Sequence, residues 1–173
     1  AGLVVVSVIF SILTIKQTLI WKDSLTLWSH EIKVYPMTVP MAYNSRGQAW
    51  HASGELEKAI EDYSASITLN PFDPFPYNNR ALIYEDMGRD DAAIEDYTKA
   101  ISLDAAFFNA RNNRGIAFGK SGRLEDAVED FTAALRINPA SSSAFLNRGF
   151  AYMGMERPID ALADFTKADA LSP

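Results

Sequence analysis

The sequence has 173 residues, of which 48% are apolar, enough for a domain with a filled core. The formal net charge of −6, from 22 acidic and 16 basic residues, argues against a nucleic-acid partner, since phosphate binding needs clustered Lys and Arg. The lack of cysteine excludes disulfides and thiolate chemistry, and two histidines are too few for a metal or triad cluster, so neither a cofactor nor enzymatic activity is expected.

Residues 1–20 are predicted to form an apolar transmembrane helix. Residues 1–15 carry no charged side chain, and Lys16 is the single charge before residue 22. As a helix, the 21 residues 1–21 would span about 31 Å, close to the hydrocarbon thickness of a bilayer. The segment is apolar on all sides rather than along one stripe, which favours a membrane span over the alternative, a buried capping helix.

Residues 21–39 are predicted to form a capping helix equal to half of a repeat. Trp28, Ile32 and Pro36 stand in this segment where an aromatic residue, an apolar residue and a terminating proline recur further along the chain.

Residues 40–173 contain one pattern four times, with a period of 34 residues. An aromatic residue marks each copy, with an alanine four positions before it and a small residue further upstream. The aromatic residues are Tyr63, Tyr97, Phe131 and Phe165, the alanines Ala59, Ala93, Ala127 and Ala161, and the small residues Gly47, Ala81, Gly115 and Gly149. Apolar spacing and turn residues divide each copy into two helices, with the small residues expected to face the alanines across the hairpin. The pattern predicts an all-α fold of four hairpins, 40–73, 74–107, 108–141 and 142–173, each stacked on the next.

These residues resemble the tetratricopeptide repeat family, whose pattern is W-x2-L-G-x2-Y…A-x3-F…P over 34 residues. The resemblance implies a right-handed α-solenoid with a concave groove, acting as a non-catalytic protein-interaction scaffold. The sequence departs from the pattern at Arg111 in place of a bulky apolar residue, at Ala105 in place of the closing proline, and at Glu156 in place of the turn glycine.

The resemblance also implies a groove lined by asparagine that binds an extended polypeptide. One position of the first helix carries asparagine in three of the four copies, and a similar asparagine ladder binds peptide backbone in O-linked N-acetylglucosamine transferase. An amide offers a donor and an acceptor to a peptide unit; the alternative is that asparagine is simply tolerated on a half-exposed helix. The candidate groove residues are Asn44, Asn78, Asn79, Asn109, Asn112, Asn113 and Asn147. No cation accompanies them, which argues against the carboxylate-terminated peptides that some family members bind.

A second recurring feature is an Arg in the first helix and an Asp in the second helix of every copy. We expect them to form a structural ladder of salt bridges rather than a ligand site, because the Arg stem packs while its guanidinium pairs with a carboxylate. The pairs are Arg46 with Asp62, Arg80 with Asp96, Arg114 with Asp130, and Arg148 with Asp164.

The N-terminal junction, an apolar segment followed by residues 21–28 and a proline, resembles the end of multi-spanning O-mannosyltransferase-like membrane proteins that carry such repeats. This resemblance implies a membrane protein whose repeats lie in the periplasm or lumen. A location on the cytoplasmic side is the alternative. The chain would then be a membrane-tethered peptide scaffold, the accessory end of a membrane glycosyltransferase, or a self-assembling solenoid. Partners would be a protein or peptide, the membrane through residues 1–20, and further copies or subunits of a membrane complex. Because the chain begins with Ala, a longer parent protein is expected.

Overall fold

The computed structural model describes residues 23–171, and all regular structure within this range is α-helical. The predicted all-helical fold is thereby confirmed for these residues. The helices, in chain order, are α1 Ser24–Val34, α2 Pro40–Ala52, α3 Leu56–Leu69, α4 Pro74–Asp86, α5 Asp90–Leu103, α6 Phe108–Lys120, α7 Leu124–Ile137, α8 Ser142–Gly154 and α9 Pro158–Leu171.

Short polar side chains begin three of these helices. Asp23 accepts a hydrogen bond of 2.8 Å from the Thr26 amide at the start of α1, and Asp73 accepts one of 3.0 Å from the Phe75 amide at the start of α4. Ser141 does the same for α8. Each cap satisfies an amide that has no partner within its helix, so these residues fix where the helices start.

A residue with a left-handed backbone lies in the turn of every hairpin. Gly54, Gly88 and Gly122 have φ of 80°, 68° and 76°. The fourth hairpin has Glu156 at this position, with φ of 57°. Glu156, which replaces the turn glycine, therefore adopts the same left-handed backbone conformation as the glycines, at an energetic cost.

The described residues fall into two compact units, 23–71 and 72–171. In the first unit, α2 packs against both α1 and α3, and Ile32 of α1 is buried. Helix α1 thus covers the side of α2 that α3 leaves open.

The second unit contains α4 to α9, and each of its helices packs against the next. The first helices of the hairpins, α4, α6 and α8, also contact one another in sequence, whereas among the described residues α5, α7 and α9 make no such contacts. The first helices therefore form the inner, concave layer of this unit, and the second helices form the outer layer.

Each hairpin closes around an aromatic ring of its second helix. A Cβ atom placed on Gly47 or Gly115 would lie 2.7 Å from the ring of Tyr63 or Phe131, respectively. The nearest neighbours of these glycines are the rings, and not the alanines that the sequence suggested. The second hairpin accommodates a methyl group at this position, since Ala81 is fully buried.

Candidate functional site

The Arg and Asp of every hairpin meet as a bidentate pair. In all four, the Arg Nε donates to Asp Oδ2 at 2.7 Å, and Nη2 donates to Oδ1 at 2.7–2.8 Å. The aspartate side chains are 4–8% exposed and the arginines 17–21%. The hydrogen bonds from the aspartates raise the pKa of Arg46, Arg80 and Arg148 by more than burial lowers it. Because both side chains are shielded and paired, each pair connects the two helices of its hairpin and leaves few hydrogen-bonding groups available to a ligand.

Arg114 and Arg148 also bind the preceding hairpin. Arg114 Nη1 donates to Thr98 Oγ1 at 2.9 Å, and Arg148 Nη1 donates to Thr132 Oγ1 at 3.0 Å. One guanidinium thus connects its own second helix to that of the neighbouring hairpin, a contact that the pairing pattern in the sequence did not reveal.

The predicted groove asparagines all lie on first helices. Asn44 is on α2 of the first unit, and the other six are on α4, α6 and α8 of the second unit. Asn109 is exposed, Asn112, Asn113 and Asn147 are half-buried, and Asn78 is buried. We call the six amides of the second unit the amide face: Asn78, Asn79, Asn109, Asn112, Asn113 and Asn147.

Part of the amide face is hydrogen-bonded within itself. Asn147 Nδ2 donates to Asn112 Oδ1 at 3.2 Å, which joins α8 to α6. Asn78 Nδ2 donates to Asn79 Oδ1 at 3.3 Å, while Asn78 Oδ1 is buried without a hydrogen-bond partner. Some of these asparagines therefore hold neighbouring helices together. This structural role is neither of the two that the sequence suggested, which were peptide binding and simple tolerance on a half-exposed helix.

An apolar cavity of about 210 Å³ opens beside the amide face, between α6, α7 and α8. Asn147 contributes the one polar side chain among its lining residues, and no charged residue lines it. The remaining lining residues are Gly115, Ile116, Gly119, Leu124, Phe131, Phe150 and Ala151.

Glu85 connects three helices of the second unit. Tyr97 of α5 donates its hydroxyl proton to Glu85 Oε2 at 2.7 Å, and Lys120 of α6 donates to Oε1 at 2.7 Å. Burial, reinforced by this bond, raises the pKa of Tyr97, and the bond to Glu85 raises the pKa of Lys120. Sequence reasoning missed this cluster, because no repeated residue type marks it.

Arg111, the departure in the third hairpin, binds the turn that precedes its helix. Its Nε donates to the Ala105 carbonyl oxygen at 3.1 Å. In the first hairpin, Tyr43 at the same position of the pattern donates its hydroxyl proton to the Pro36 carbonyl oxygen at 3.0 Å. The guanidinium therefore makes a bond like that of the tyrosine, so this departure preserves the local structure.

Two sequence models of one family match the chain. The tetratricopeptide repeat model matches residues 74–107 and 108–141, and a second TPR repeat model matches residues 47–88. Together they cover 47–141, more than half of the sequence. The chain belongs to the tetratricopeptide repeat family. No curated protein matches the sequence at a significant level.

Solved tetratricopeptide repeat structures share this fold. A crystal structure of MamA is 21% identical with a TM-score of 0.81, covering 90% of this chain and 92% of that chain. YrrB, described as a TPR protein with an unusual peptide-binding site, is 17% identical with a TM-score of 0.74, covering 96% and 82%. The first TPR of Spaghetti (RPAP3), bound to the HSP90 peptide SRMEEVD, is 22% identical with a TM-score of 0.66, covering 68% and 93%. At these identities the likeness establishes the fold, an all-helical TPR solenoid.

The predicted membrane location is wrong. Between residues 23 and 171, none of the TPR helices combines the length and the apolar character that crossing a bilayer demands. The predicted span at 1–20 lies outside the described residues. The resemblance to O-mannosyltransferase-like proteins is not shown by any of the comparisons. Over the same described range, no cluster of side chains suited to a metal ion is found.

Proposed function

We propose that the second TPR unit is a non-catalytic protein-interaction scaffold that binds an extended, uncharged polypeptide along its concave layer. The observation that carries this proposal is the amide face, a set of amide side chains on the three helices of that layer. An amide side chain pairs with a peptide unit whatever the neighbouring side chain is, so such a face suits an extended backbone. We also propose that the solenoid divides into the repeats 40–73, 74–107, 108–141 and 142–173.

Asn113 is the groove residue best placed to take a ligand. It is half-buried on α6, and among the described residues its side chain has no hydrogen-bond partner. Asn147, in contrast, already donates to Asn112. We therefore expect Asn113 to offer both its donor and its acceptor to a ligand, whereas Asn147, whose Nδ2 is engaged, contributes to stability and keeps only its Oδ1 for a ligand.

The charge of the layer supports a neutral ligand. Lys120 is engaged with Glu85 at 2.7 Å, and the arginines of the ladder are occupied by buried aspartates. Two structural neighbours are described by their peptides or peptide sites, one of them with the acidic peptide SRMEEVD. Because the described residues place no free cation among the amides of this face, we propose that its ligands lack an acidic motif.

A displayed library of linear peptides tests the proposal. The full chain should select peptides without clustered charge, and their amide shifts in NMR titrations should map to α4, α6 and α8. Asn113→Ala should weaken the selected peptides about tenfold, as expected for one lost hydrogen bond in a shielded site, with no change in melting temperature. Asn147→Ala, in contrast, should also lower stability by about 1 kcal/mol, because Asn112 loses its donor. Failure to select any peptide, or shifts confined to α5, α7 and α9, would refute the proposal.

A second candidate function is self-association through the last hairpin. Ile159 and Leu162 of α9 are 84% and 67% exposed, and Phe150 and Met153 of α8 are 66% and 51% exposed. Val128, which occupies the position of Leu162 in the preceding hairpin, packs against the core cluster that contains Ala151. An exposed apolar surface of this kind suits a second copy of the chain. Light scattering should then show a dimer that Leu162→Lys converts to a monomer; a monomeric wild type at high concentration would exclude this function.

A further inference from the structure

The apolar cavity between α6, α7 and α8 has no evident structural purpose. Gly119 is one of its lining residues, and the space where its Cβ would lie has no atom within 4 Å. The positions 34 residues before and after it carry Glu85 and Met153. Gly119 also lacks the two usual reasons for a glycine, since its φ is not positive and no neighbour approaches it closely. A helix gains stability from almost any other residue at such a position.

The lining defines the chemistry of what the cavity accepts. Ile116, Leu124 and Phe150 provide apolar walls, and no charged side chain reaches the space. Asn147 also lines the cavity, and its Nδ2 donates to Asn112, so its Oδ1 is the atom left to accept a hydrogen bond. The site therefore matches an uncharged apolar group that is attached to an N–H donor.

The volume restricts that group to one side chain. An apolar cavity of about 150 Å³ is large enough to bind benzene, and this one measures about 210 Å³. A single Leu, Met or Phe side chain fits such a space, whereas two consecutive large residues do not.

We infer that this cavity binds one apolar side chain of the polypeptide, while Asn147 Oδ1 accepts a hydrogen bond from the adjacent peptide N–H. This inference rests on the proposed function and adds to it a preference for Leu, Met or Phe at one ligand position. Neutral apolar lining favours these residues over charged ones, because a charge placed there would lose its hydration without a partner.

The first experiment uses two small probes on the isotopically labelled full chain. N-acetyl-leucinamide should shift the amide resonances of Gly115, Gly119 and Asn147, and N-acetyl-alaninamide should bind at least tenfold more weakly because it buries three fewer carbon atoms. Equal shifts with the two probes, or shifts elsewhere, would overturn the inference.

Filling the cavity is the second experiment. Gly119→Met introduces the side chain that the fourth hairpin has at position 153. It should reduce the affinity for N-acetyl-leucinamide at least tenfold, while the melting temperature stays the same or rises. Gly119→Ala, with a smaller side chain, should give an intermediate loss. Ala133→Met on the outer layer is the matched control and should change nothing.

The outcomes separate this inference from the proposed function. Selected peptides that bind wild type and Gly119→Met equally well would overturn the cavity assignment and leave the peptide scaffold intact. A wild type that binds leucinamide at the cavity but selects no peptide would overturn the scaffold, and with it the assignment of a peptide side chain to this site.

Discussion

Replacing Arg148 by Ala tests whether the Arg–Asp pairs hold the hairpins together. Arg148 donates two hydrogen bonds of 2.7 Å to Asp164, whose side chain is 7% exposed, and a third to Thr132. The substitution leaves a buried carboxylate without its cation, and breaking such a pair costs about 3 kcal/mol. We expect the free energy of unfolding to fall by that amount.

Urea unfolding followed by far-UV circular dichroism measures this loss. Arg157→Ala is the matched control, because Arg157 pairs with Asp160 at 2.8 Å while both side chains are 45–47% exposed. An exposed pair of this kind contributes less than about 1 kcal/mol. Equal losses for Arg148→Ala and Arg157→Ala would refute the claim that burial gives the pairs their strength.

The third hairpin offers a graded comparison. Asp130 has a second arginine nearby, since Arg111 Nη1 lies 3.9 Å from its Oδ1. When Arg114 is replaced by Ala, Arg111 still partly neutralises the carboxylate, so we expect a loss of about 2 kcal/mol rather than 3. A loss for Arg114→Ala as large as that for Arg148→Ala would show that Arg111 does not compensate.

Three further substitutions test other contacts. Tyr97→Phe removes the bond to Glu85 and should cost about 1 kcal/mol at neutral pH. The pKa of Tyr97 in the folded protein lies above the ordinary value of 10.0, so the stabilisation from the neutral hydroxyl is complete below pH 10 and is lost as the pH rises further. In urea titrations above pH 10, the free energy of unfolding of the variant should therefore fall less steeply than that of the wild type, by up to about 1.4 kcal/mol per pH unit. Glu156→Gly should raise stability by about 0.5 kcal/mol, seen as a higher melting temperature, because the left-handed φ of 57° strains Glu more than the greater freedom of unfolded Gly costs. Gly47→Ala should cost about 1–3 kcal/mol in the same assay, since its methyl group would lie 2.7 Å from Tyr63; a neutral result would show that the ring can move to admit the methyl group.

The fold was predictable because its determinants are local and repeated. Each hairpin needs a small residue on the first helix beneath an aromatic ring on the second, and a turn residue between them; Gly115, Phe131 and Gly122 meet these needs in the third copy. Such residues act within one 34-residue unit, so four copies in register specify the same structure four times. The same locality explains why Glu156 is tolerated, since one strained turn does not outweigh a packed hairpin.

Contacts between hairpins were not predictable in the same way. Lys120 meets Glu85 and Asn147 meets Asn112 over 35 residues, one residue more than the period. These pairs depend on how far one hairpin is rotated against the next, which the period alone does not determine. The positions equivalent to Glu85 and Lys120 carry other residue types in the remaining hairpins, so no pattern marks that pair. Asparagines do recur 35 residues apart, at Asn44 and Asn79 and at Asn78 and Asn113, but the spacing alone does not show which of them form a hydrogen bond.

The amides of the concave layer can hydrogen-bond either to one another or to a peptide, and the two uses compete. An asparagine that bonds to its neighbour, as Asn147 does to Asn112, stiffens the layer but has less capacity left for a peptide. An asparagine without a hydrogen-bond partner among the described residues, such as Asn113, keeps that capacity but adds no hydrogen bond between hairpins. Binding on this layer therefore depends on which amides are left unpaired. Asn147 is paired through its Nδ2 and also lines the apolar cavity. In the proposed complex its Oδ1 would therefore set the position of a peptide N–H relative to the side-chain site, and specificity should concentrate there.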